Sequence, residues 1–419
     1  MKRNAVYAQS GGVTAVINAS AAAVIEAVRL NRAAMGALYA AHNGIIGALT
    51  EDLLDTTPLS ATDVAALRHT PGGAFGSCRY KLPDPAQEDR HYRRLLQVFE
   101  AHDVGYFFYN GGGDSMDTAL KLAQYAQQAA YPLQVIGIPK TVDNDLPVTD
   151  CCPGFGSVAK YVAASIREAT LDLAAMASTS TQVFVFEVMG RHAGWIAAAG
   201  GLAFDVPADS PLLILFPEVP FDAERFVGRV SATVKRFGYC SVVVSEGVRD
   251  AEGRFLADAG TVDAFGHRQL GGAGPAVVAR IREQLGMKTH WAVADYLQRS
   301  ARHLASATDL AQAYALGRSA VQMALAGDSG LAPVIRRLDD APYRWQVASA
   351  PLQALANVER HLPAQYISAD GFGISDACRR YLQPLIVGEA YPPYRDGLPH
   401  YVQPQAEPLR RRLTEAFTL

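Results

Sequence analysis

The sequence is poor in the features that mark several large protein classes. Its 419 residues carry a net charge of only −3, which argues against a surface built for nucleic acid or for an anionic membrane. No apolar run reaches the roughly 18 residues that a membrane-spanning helix needs. Residues 1–3 lead directly into a strand pattern, so we expect no signal peptide. The expectation is a large soluble enzyme with neither nucleic-acid nor membrane partners.

Cysteine is scarce as well. The number of cysteines is odd and no C-x-x-C pair occurs, so neither a disulfide framework nor a zinc site is indicated. We expect the thiols to be small packing residues in a reducing cytoplasm. The five cysteines are Cys78, Cys151, Cys152, Cys240 and Cys378.

Two common phosphate-binding patterns are missing. None of the seven lysines follows a glycine, which excludes the G-K-[ST] end of a P-loop, and the G-x-G-x-x-G dinucleotide fingerprint is absent. Any phosphate site in this chain must therefore be built in another way.

Strand patterns and helix patterns alternate along most of the chain. This alternation predicts an α/β fold with two doubly wound, Rossmann-like parallel-sheet domains, and it places the active site in the cleft between them. The first unit is expected to end near residue 150. Strands are predicted at 6–8, 37–41, 105–109, 133–138, 182–188, 212–216 and 241–245, and helices at 16–30, 116–129, 158–176, 309–326 and within 270–285.

The most informative segment is Pro139–Asp145, which directly follows a predicted buried strand. Ligands of open α/β sheets bind at the carboxyl ends of the strands. A carboxylate such as Asp143 can accept a hydroxyl proton there, and Lys140 can neutralise phosphate. The combination suggests phosphoryl transfer, although Asp-Asn-Asp is also ordinary turn chemistry.

Two further strand ends carry glycine-rich turns, at 9–14 and 110–115. Glycines let backbone N–H groups approach phosphate oxygens, and a following helix N-terminus favours an anion. Arg191 and Arg299 are expected in loops, and Glu246 closes a strand, where it can accept sugar hydroxyls. Each of these features alone is also typical of a turn or a solvated surface.

Together these segments resemble the phosphofructokinase family. The resemblance covers about residues 5–325, and the C-terminal part is similar to the longer forms of the pyrophosphate-using branch. The matching motifs occur in the family's order and at compatible spacing. They are Gly11-Gly12, Gly111–Ser115, Pro139–Asp145, Met189–Arg191, Glu246 and Tyr296–Arg299.

The resemblance implies reversible transfer of phosphoryl from pyrophosphate to the 1-hydroxyl of fructose 6-phosphate, a step of glycolysis and gluconeogenesis, with Mg²⁺ shielding the pyrophosphate. Asp143 would be the catalytic base, aided by Lys140, Asp114 and Arg191. The implied fructose 6-phosphate site is Thr141, Val142, Asp143, Met189, Gly190, Arg191, Glu246, Tyr296, Leu297, Gln298 and Arg299. The implied pyrophosphate site is Gly12, Arg79, Gly112, Gly113, Asp114, Ser115 and Lys140.

The resemblance also implies a domain division and an assembly. A donor-binding domain would cover 1–150 with about 300–345, and a sugar-phosphate domain would cover 151–299 with a C-terminal segment. Residues 346–419 would form a C-terminal extension. A homo-oligomer, dimer or tetramer, is expected.

Donor identity depends on two positions. ATP-using members typically carry glycine where this chain has Asp114 and Lys140. A carboxylate at 114 would crowd and repel the α-phosphate of a nucleotide, and a lysine at 140 can stabilise a leaving phosphate that has no nucleotide tail. The alternatives are an ATP-dependent 6-phosphofructokinase and a non-catalytic regulatory subunit of the same fold; intact Asp143 argues against the latter.

Three positions depart from the family pattern. Gly113 replaces an acidic or amide residue that helps to hold magnesium in relatives, which leaves Asp114 as the candidate metal ligand. Gln182 and His290 stand where many members carry arginines that reach the sugar 6-phosphate of a neighbouring subunit. The resemblance therefore does not extend to that contact.

Overall fold

The computed structural model describes residues 2–205, 209–256, 258–262 and 268–419. Strands alternate with helices, as the sequence pattern predicts. The strands are β1 (Asn4–Gln9), β2 (Leu38–Ala41), β3 (Leu53–Asp55), β4 (Val104–Gly111), β5 (Gln134–Pro139), β6 (Val183–Val188), β7 (Leu212–Leu215), β8 (Cys240–Ser245), β9 (Asp258–Val262), β10 (Arg268–Leu270), β11 (Thr289–Val293), β12 (Leu331–Asp340), β13 (Tyr343–Pro351), β14 (Tyr394–Arg395), β15 (Leu398–Pro399) and β16 (Glu407–Pro408).

The helices pack on the faces of the sheets. They are α1 (Ile17–Leu30), α2 (Ile45–Thr50), α3 (Ala61–Leu67), α4 (Arg90–Ala101), α5 (Gly113–Gln128), α6 (Phe155–Met176), α7 (Trp195–Ala199), α8 (Ala223–Phe237), α9 (Ala273–Leu285), α10 (Asp295–Ser300), α11 (Ala307–Leu325) and α12 (Asp376–Leu382). Short 3₁₀ turns lie at Gly200–Ala203, Arg302–Leu304, Leu352–Ala354, Ala364–Tyr366 and Gln383–Ile386. No helix in the described part of the chain is long and apolar enough to cross a membrane.

The first sheet has the strand order β13-β12-β5-β4-β1-β2-β3-β16. Strands β2, β1, β4 and β5 run parallel, and β12 continues parallel to β5. At the edges β13, β3 and β16 pair antiparallel with their neighbours. The predicted parallel order therefore holds at the centre of the sheet. The strand order reverses at β1, which opens a crevice at the carboxyl ends of β1 and β4.

The second sheet has the order β11-β6-β8-β7, and each of these pairs is parallel. Side chains of both sheets, among them Phe108, Ile138, Phe186 and Val243, belong to one buried apolar cluster. The parallel strands consist of apolar runs because helices cover both of their faces. The chain thus forms two α/β units, one around each sheet, which share one apolar core. This agrees with the predicted α/β fold class.

The chain crosses between the sheets through residues 140–154, the β5–α6 loop. Asp309 of α11 fixes the end of this loop, because its carboxylate accepts hydrogen bonds from the N–H of Gly154 at 2.9 Å and of Ser157 at 3.0 Å. These groups belong to the buried N-terminus of α6, which such a carboxylate stabilises. The predicted three-part domain division stays a prediction; the first sheet includes β12 and β13 as well as the late strand β16.

Candidate active site

A cleft of about 830 Å³ lies where the strands of both sheets end. Strands β1, β4 and β5 lead into one end of it, and β6, β8 and β11 lead into the other. The predicted site residues Gly190 and Leu297 do not line it. Those that do are Gly12, Arg79, Gly112, Gly113, Asp114, Ser115, Lys140, Thr141, Val142, Asp143, Met189, Arg191, Glu246, Tyr296, Gln298 and Arg299.

The two exceptions have clear positions. Gly190 has φ +130°, and a Cβ there would lie 2.7 Å from the carbonyl oxygen of Ala193, so the turn requires glycine. Its N–H donates to Glu246 at 3.4 Å. Leu297 lies on the exposed side of α10. Gly190 therefore supports the cleft by forming the turn between Met189 and Arg191, whereas Leu297 faces away from the cleft.

Asp143 lies in the β5–α6 loop, where its N–H donates to the hydroxyl of Thr141 at 3.1 Å. Burial raises the pKa of Asp143 to about 7, and the carboxylates of Asp145 and Glu246 act in the same direction, against Arg191 and Lys140. A carboxylate that binds its proton near neutral pH is well matched to general base catalysis. The loop therefore presents a group able to accept a hydroxyl proton.

Lys140 opens the same loop but points towards β1. Its ammonium donates to the carbonyl oxygen of Gly12 at 2.6 Å, and its side chain is buried. Burial, together with the positive charge of Arg299, lowers the pKa of Lys140 to about 8. An anion bound in the cleft would stabilise the charged ammonium and so offset the effects of burial and of Arg299.

The donor end of the cleft, defined by Gly11, Gly12, Arg79, residues 112–115 and Lys140, combines glycine backbone with cations. A Cβ on Gly12 would lie 2.6 Å from Nη1 of Arg299 and 3.9 Å from Nη2 of Arg79, so both guanidinium groups lie over this glycine. Helix α5 begins at Gly113 and directs its first-turn N–H groups here. A helix N-terminus next to three cations is suited to a polyanion.

Asp114 lies in the first turn of α5, and Lys81 contacts it. The ammonium of Lys81 donates to its carboxylate at 3.0 Å, with both side chains partly exposed. The sequence analysis did not identify Lys81, since 33 residues separate the partners. The pair keeps the bulk of a carboxylate at the donor end while it offsets the charge.

The sugar end, defined by Met189, Arg191, Glu246, Asp295, Tyr296, Gln298 and Arg299, carries four charged side chains. Arg191 has its Nε buried without a hydrogen-bond partner among the described residues. Burial raises the pKa of Glu246, and Arg191 opposes this effect. A buried donor that lacks a partner is costly unless a ligand supplies the acceptor. These groups are suited to a polar, anionic ligand.

Arg299 lies in helix α10, so the expectation of a loop was wrong. Six residues with little apolar periodicity gave no helix pattern, and packing forms the helix. The guanidinium of Arg299 stacks on the ring of Tyr296, 4.0 Å from its centroid. The buried amide of Gln298 accepts from the N–H of Met189 at 3.3 Å. Helix α10 is thereby fixed to the end of β6.

Several cleft residues were not among the predicted site residues. Glu359 comes from the segment after β13, and its carboxylate lies 2.8 Å from Nδ1 of His192. Glu187 accepts from the N–H groups of Gly272 and Gly274 at 3.0 and 2.8 Å, which occupies the N-terminus of α9. No local pattern marks these contacts. The unpredicted lining side chains include Ser10, Val13, Ser77, Asp145, Glu187, His192, Asp295 and Glu359.

The carboxylates of the cleft determine how it could hold a metal ion. The described residues contain no cluster of three His, Cys, Asp or Glu side chains that could hold a metal ion. Mg²⁺ commonly needs only one or two carboxylates, with water and substrate phosphates as its other ligands. Asp114 and Asp145 line the cleft, and Oδ1 of Asp145 is buried without a hydrogen-bond partner. This set fits a Mg²⁺ held mainly by a phosphate ligand.

Comparison with known proteins gives full-length matches. Residues 4–324 match the family model for phosphofructokinase. A pyrophosphate–fructose 6-phosphate 1-phosphotransferase of Methylococcus capsulatus is 61% identical over 417 residues, covering 100% of this chain and 99% of the relative. One of Halomonas elongata is 59% identical over 414 residues, 99% of each chain. The crystal structure of a pyrophosphate-dependent phosphofructokinase from Nitrosospira multiformis aligns with a TM-score of 0.93 and 57% identity over 100% of both chains.

Proposed function

Because the chain belongs to the phosphofructokinase family, we propose that it transfers phosphoryl from pyrophosphate to the 1-hydroxyl of fructose 6-phosphate. The products are phosphate and fructose 1,6-bisphosphate. The observation that carries this proposal is the meeting of Asp143, Lys140 and Asp114 in one cleft. The phosphoanhydride and the product ester are comparable in energy, so the reaction runs in both directions in glycolysis and gluconeogenesis.

The chemistry follows from position and charge. Asp143 takes the proton of the 1-hydroxyl as that oxygen attacks phosphorus, and its pKa near 7 suits the task. Arg79, Arg299 and Lys140 stabilise the charge on the transferred and leaving phosphates. Arg191 and Glu246 bind the sugar phosphate, with Thr141, Met189 and Tyr296 completing its pocket. Phosphoryl transfer needs mainly this positioning and charge stabilisation.

Donor choice follows from the donor end of the cleft. Asp114 stands at the start of α5, and there its carboxylate, although paired with Lys81, would crowd the α-phosphate of a nucleotide. Pyrophosphate ends before that point. The buried ammonium of Lys140 then serves a leaving phosphate that carries no nucleotide. An ATP-dependent kinase is the alternative, and no contact of the described residues favours it.

We include Mg²⁺ in the proposal. When bound, it neutralises part of the charge of pyrophosphate. Asp114 is the predicted protein ligand, and Asp145 offers a second carboxylate. Water and phosphate oxygens would supply the remaining ligands.

We also propose a homo-oligomer in the cytoplasm. Strand β11 is an edge strand with Trp291 exposed, and Leu297 of α10, which faces away from the cleft, is exposed as well. Burial of such a patch favours a second copy of the chain. His290 lies exposed on the same strand. All five cysteines are free thiols, as suits a reducing compartment.

Product analysis tests the reaction. The purified protein is incubated with pyrophosphate, fructose 6-phosphate and Mg²⁺, and ³¹P NMR follows the phosphorus resonances. We expect equal amounts of inorganic phosphate and a new phosphoester at C1, and the reverse conversion when the products are supplied. Hydrolysis of pyrophosphate without sugar phosphorylation would contradict the proposal.

A further inference from the structure

The segment 357–362 follows β13 in the part of the chain expected to be a C-terminal extension, yet it packs against the β5–α6 loop. Arg360 makes most of these contacts. Its Nε and Nη2 donate to the carbonyl oxygen of Asn144 at 3.2 and 2.8 Å, and its Nη1 donates to those of Thr149 and Asp150 at 2.8 and 2.9 Å. Its backbone N–H donates to the carbonyl oxygen of Asp145 at 2.6 Å. One residue thus joins both ends of the stretch 144–150.

This stretch holds unfavourable backbone conformations. Asn144 has φ +55° and Val148 has φ +65°, in the left-handed region that a β-branched residue rarely adopts. Such conformations persist only where the surroundings impose them. Asn144 directly follows Asp143, so its left-handed conformation determines the path of the chain beside Asp143 and thereby where that carboxylate lies. Arg360 holds this conformation through two hydrogen bonds to the Asn144 carbonyl, which belongs to the peptide between Asn144 and Asp145.

Arg360 is itself held from the opposite sheet. Its guanidinium carbon lies 4.8 Å from the ring centroid of Trp195, at the start of α7, and the indole N–H donates to the Arg360 carbonyl oxygen at 3.0 Å. Nearby, Leu362 donates its N–H to Glu218 at 2.9 Å, and Asn357 donates to Asp117 of α5 at 2.8 Å. The segment 357–362 therefore joins elements of both sheets beside the cleft.

We propose that Arg360 is a positioning residue that holds the β5–α6 loop so that Asp143 faces the sugar hydroxyl. This rests on the proposed function, in which Asp143 is the base. Arginine suits the task, because its planar fork reaches several carbonyl oxygens at fixed angles. Its guanidinium is surrounded by the carbonyl oxygens of the loop and by the Trp195 ring, and the carboxylates of Asp145 and Asp150 act on its charge from farther away.

The test compares Arg360→Met with Arg29→Met. Arg29 also donates to two loop carbonyl oxygens, those of Thr56 and Leu59, at 2.8 and 2.7 Å, but it lies outside the cleft. We expect Arg360→Met to lower kcat by about 100-fold, the cost of a displacement near 1 Å, while KM for both substrates changes by less than about threefold. Arg29→Met should lower thermal stability without changing kcat.

The second arm places Arg360→Met in the Asp143→Asn background. If Arg360 acts through Asp143, the second substitution should lower the residual kcat by less than about twofold, because the group it positions is already disabled. The full 100-fold loss in that background, or wild-type kcat in the single variant, would overturn the proposal. If Arg360→Met does not fold, Arg360→Lys decides, since it keeps the charge but cannot bridge both ends of the loop. It is measured in the same two backgrounds, with the same expected losses and the same overturning outcomes.

Failure of the proposed function has a separate readout. A wild-type enzyme inactive with pyrophosphate would contradict the function. The Arg360 comparison would then be made with whichever phosphoryl donor supports turnover.

Discussion

The two ends of the cleft are built in different ways. The donor end uses backbone: glycines at 11, 12, 112 and 113 keep side chains away, and Lys140 and the N-terminus of α5 face the space that they leave. The sugar end uses side chains from distant parts of the chain, among them Arg191, Glu246 and Arg299. Backbone N–H groups and cations suit pyrophosphate, which is recognised mainly by its charge. Side chains placed one by one suit a sugar phosphate, whose hydroxyl groups must be recognised individually.

The ends also differ in charge. Arg79 and Lys140 make the donor end cationic, together with Arg299, whose guanidinium reaches over Gly12 from the sugar end, and the pKa of Lys140 falls. Carboxylates gather where the sugar hydroxyl would react, and the pKa of Asp143 rises. Burial causes both shifts, and like charges nearby increase each of them. The cations at the donor end can therefore bind an anionic phosphoryl donor, and the Asp143 carboxylate can accept the proton of a hydroxyl.

The largest expected effect is at the reacting hydroxyl. Asp143→Asn should lower kcat by about two to four orders of magnitude, because the amide cannot accept the proton, while binding of fructose 6-phosphate persists. Steady-state kinetics and calorimetric binding measure the two effects. Asp339→Asn is the matched control: Asp339 pairs with Arg344 at 2.8 Å outside the cleft, so its kcat should stay near wild type. Turnover close to normal in Asp143→Asn would remove this residue from the mechanism.

The pH dependence tests both ends at once. Asp143 must be deprotonated to act as a base, so kcat/KM should fall as pH drops through about 7. Lys140 must be protonated to stabilise phosphate, so kcat/KM should also fall as pH rises through about 8. Each limb should approach about tenfold per pH unit.

Lys140→Arg separates the two limbs of that profile. Arginine stays charged, so the variant should lose the alkaline limb and keep the acid limb. An alkaline limb that is unchanged in this variant would show that another group titrates there.

Much of the donor end could be predicted from the sequence, because its parts are local. An apolar strand followed by a glycine-rich turn and a helix pattern is contained in a dozen residues, and β1, β4 and β5 with their turns were found in this way. The same holds for Asp143, which directly follows the β5 strand pattern. Helix α5 begins three residues before its predicted start, because Gly113–Ser115 carries turn residues that the helix nevertheless includes.

The sugar end and the supporting contacts could not be predicted in that way. Arg360 meets the β5–α6 loop across more than two hundred residues, Glu359 pairs with the distant His192, and no local pattern encodes either contact. The Lys81–Asp114 pair and the short helix that carries Arg299 depend on tertiary packing as well. The antiparallel edge strands of the first sheet follow from chain topology, which strand patterns do not specify.

The central claim is that the donor end selects pyrophosphate through Asp114 and Lys140, and the ratio of kcat/KM with pyrophosphate to that with ATP tests it most directly. In the wild-type enzyme the ratio should strongly favour pyrophosphate. Asp114→Gly should admit some ATP, and Lys140→Gly should lower kcat with pyrophosphate more than it raises KM. The double variant should shift the ratio towards ATP by several orders of magnitude. Efficient use of ATP by the wild-type enzyme, with pyrophosphate inert, would contradict the account.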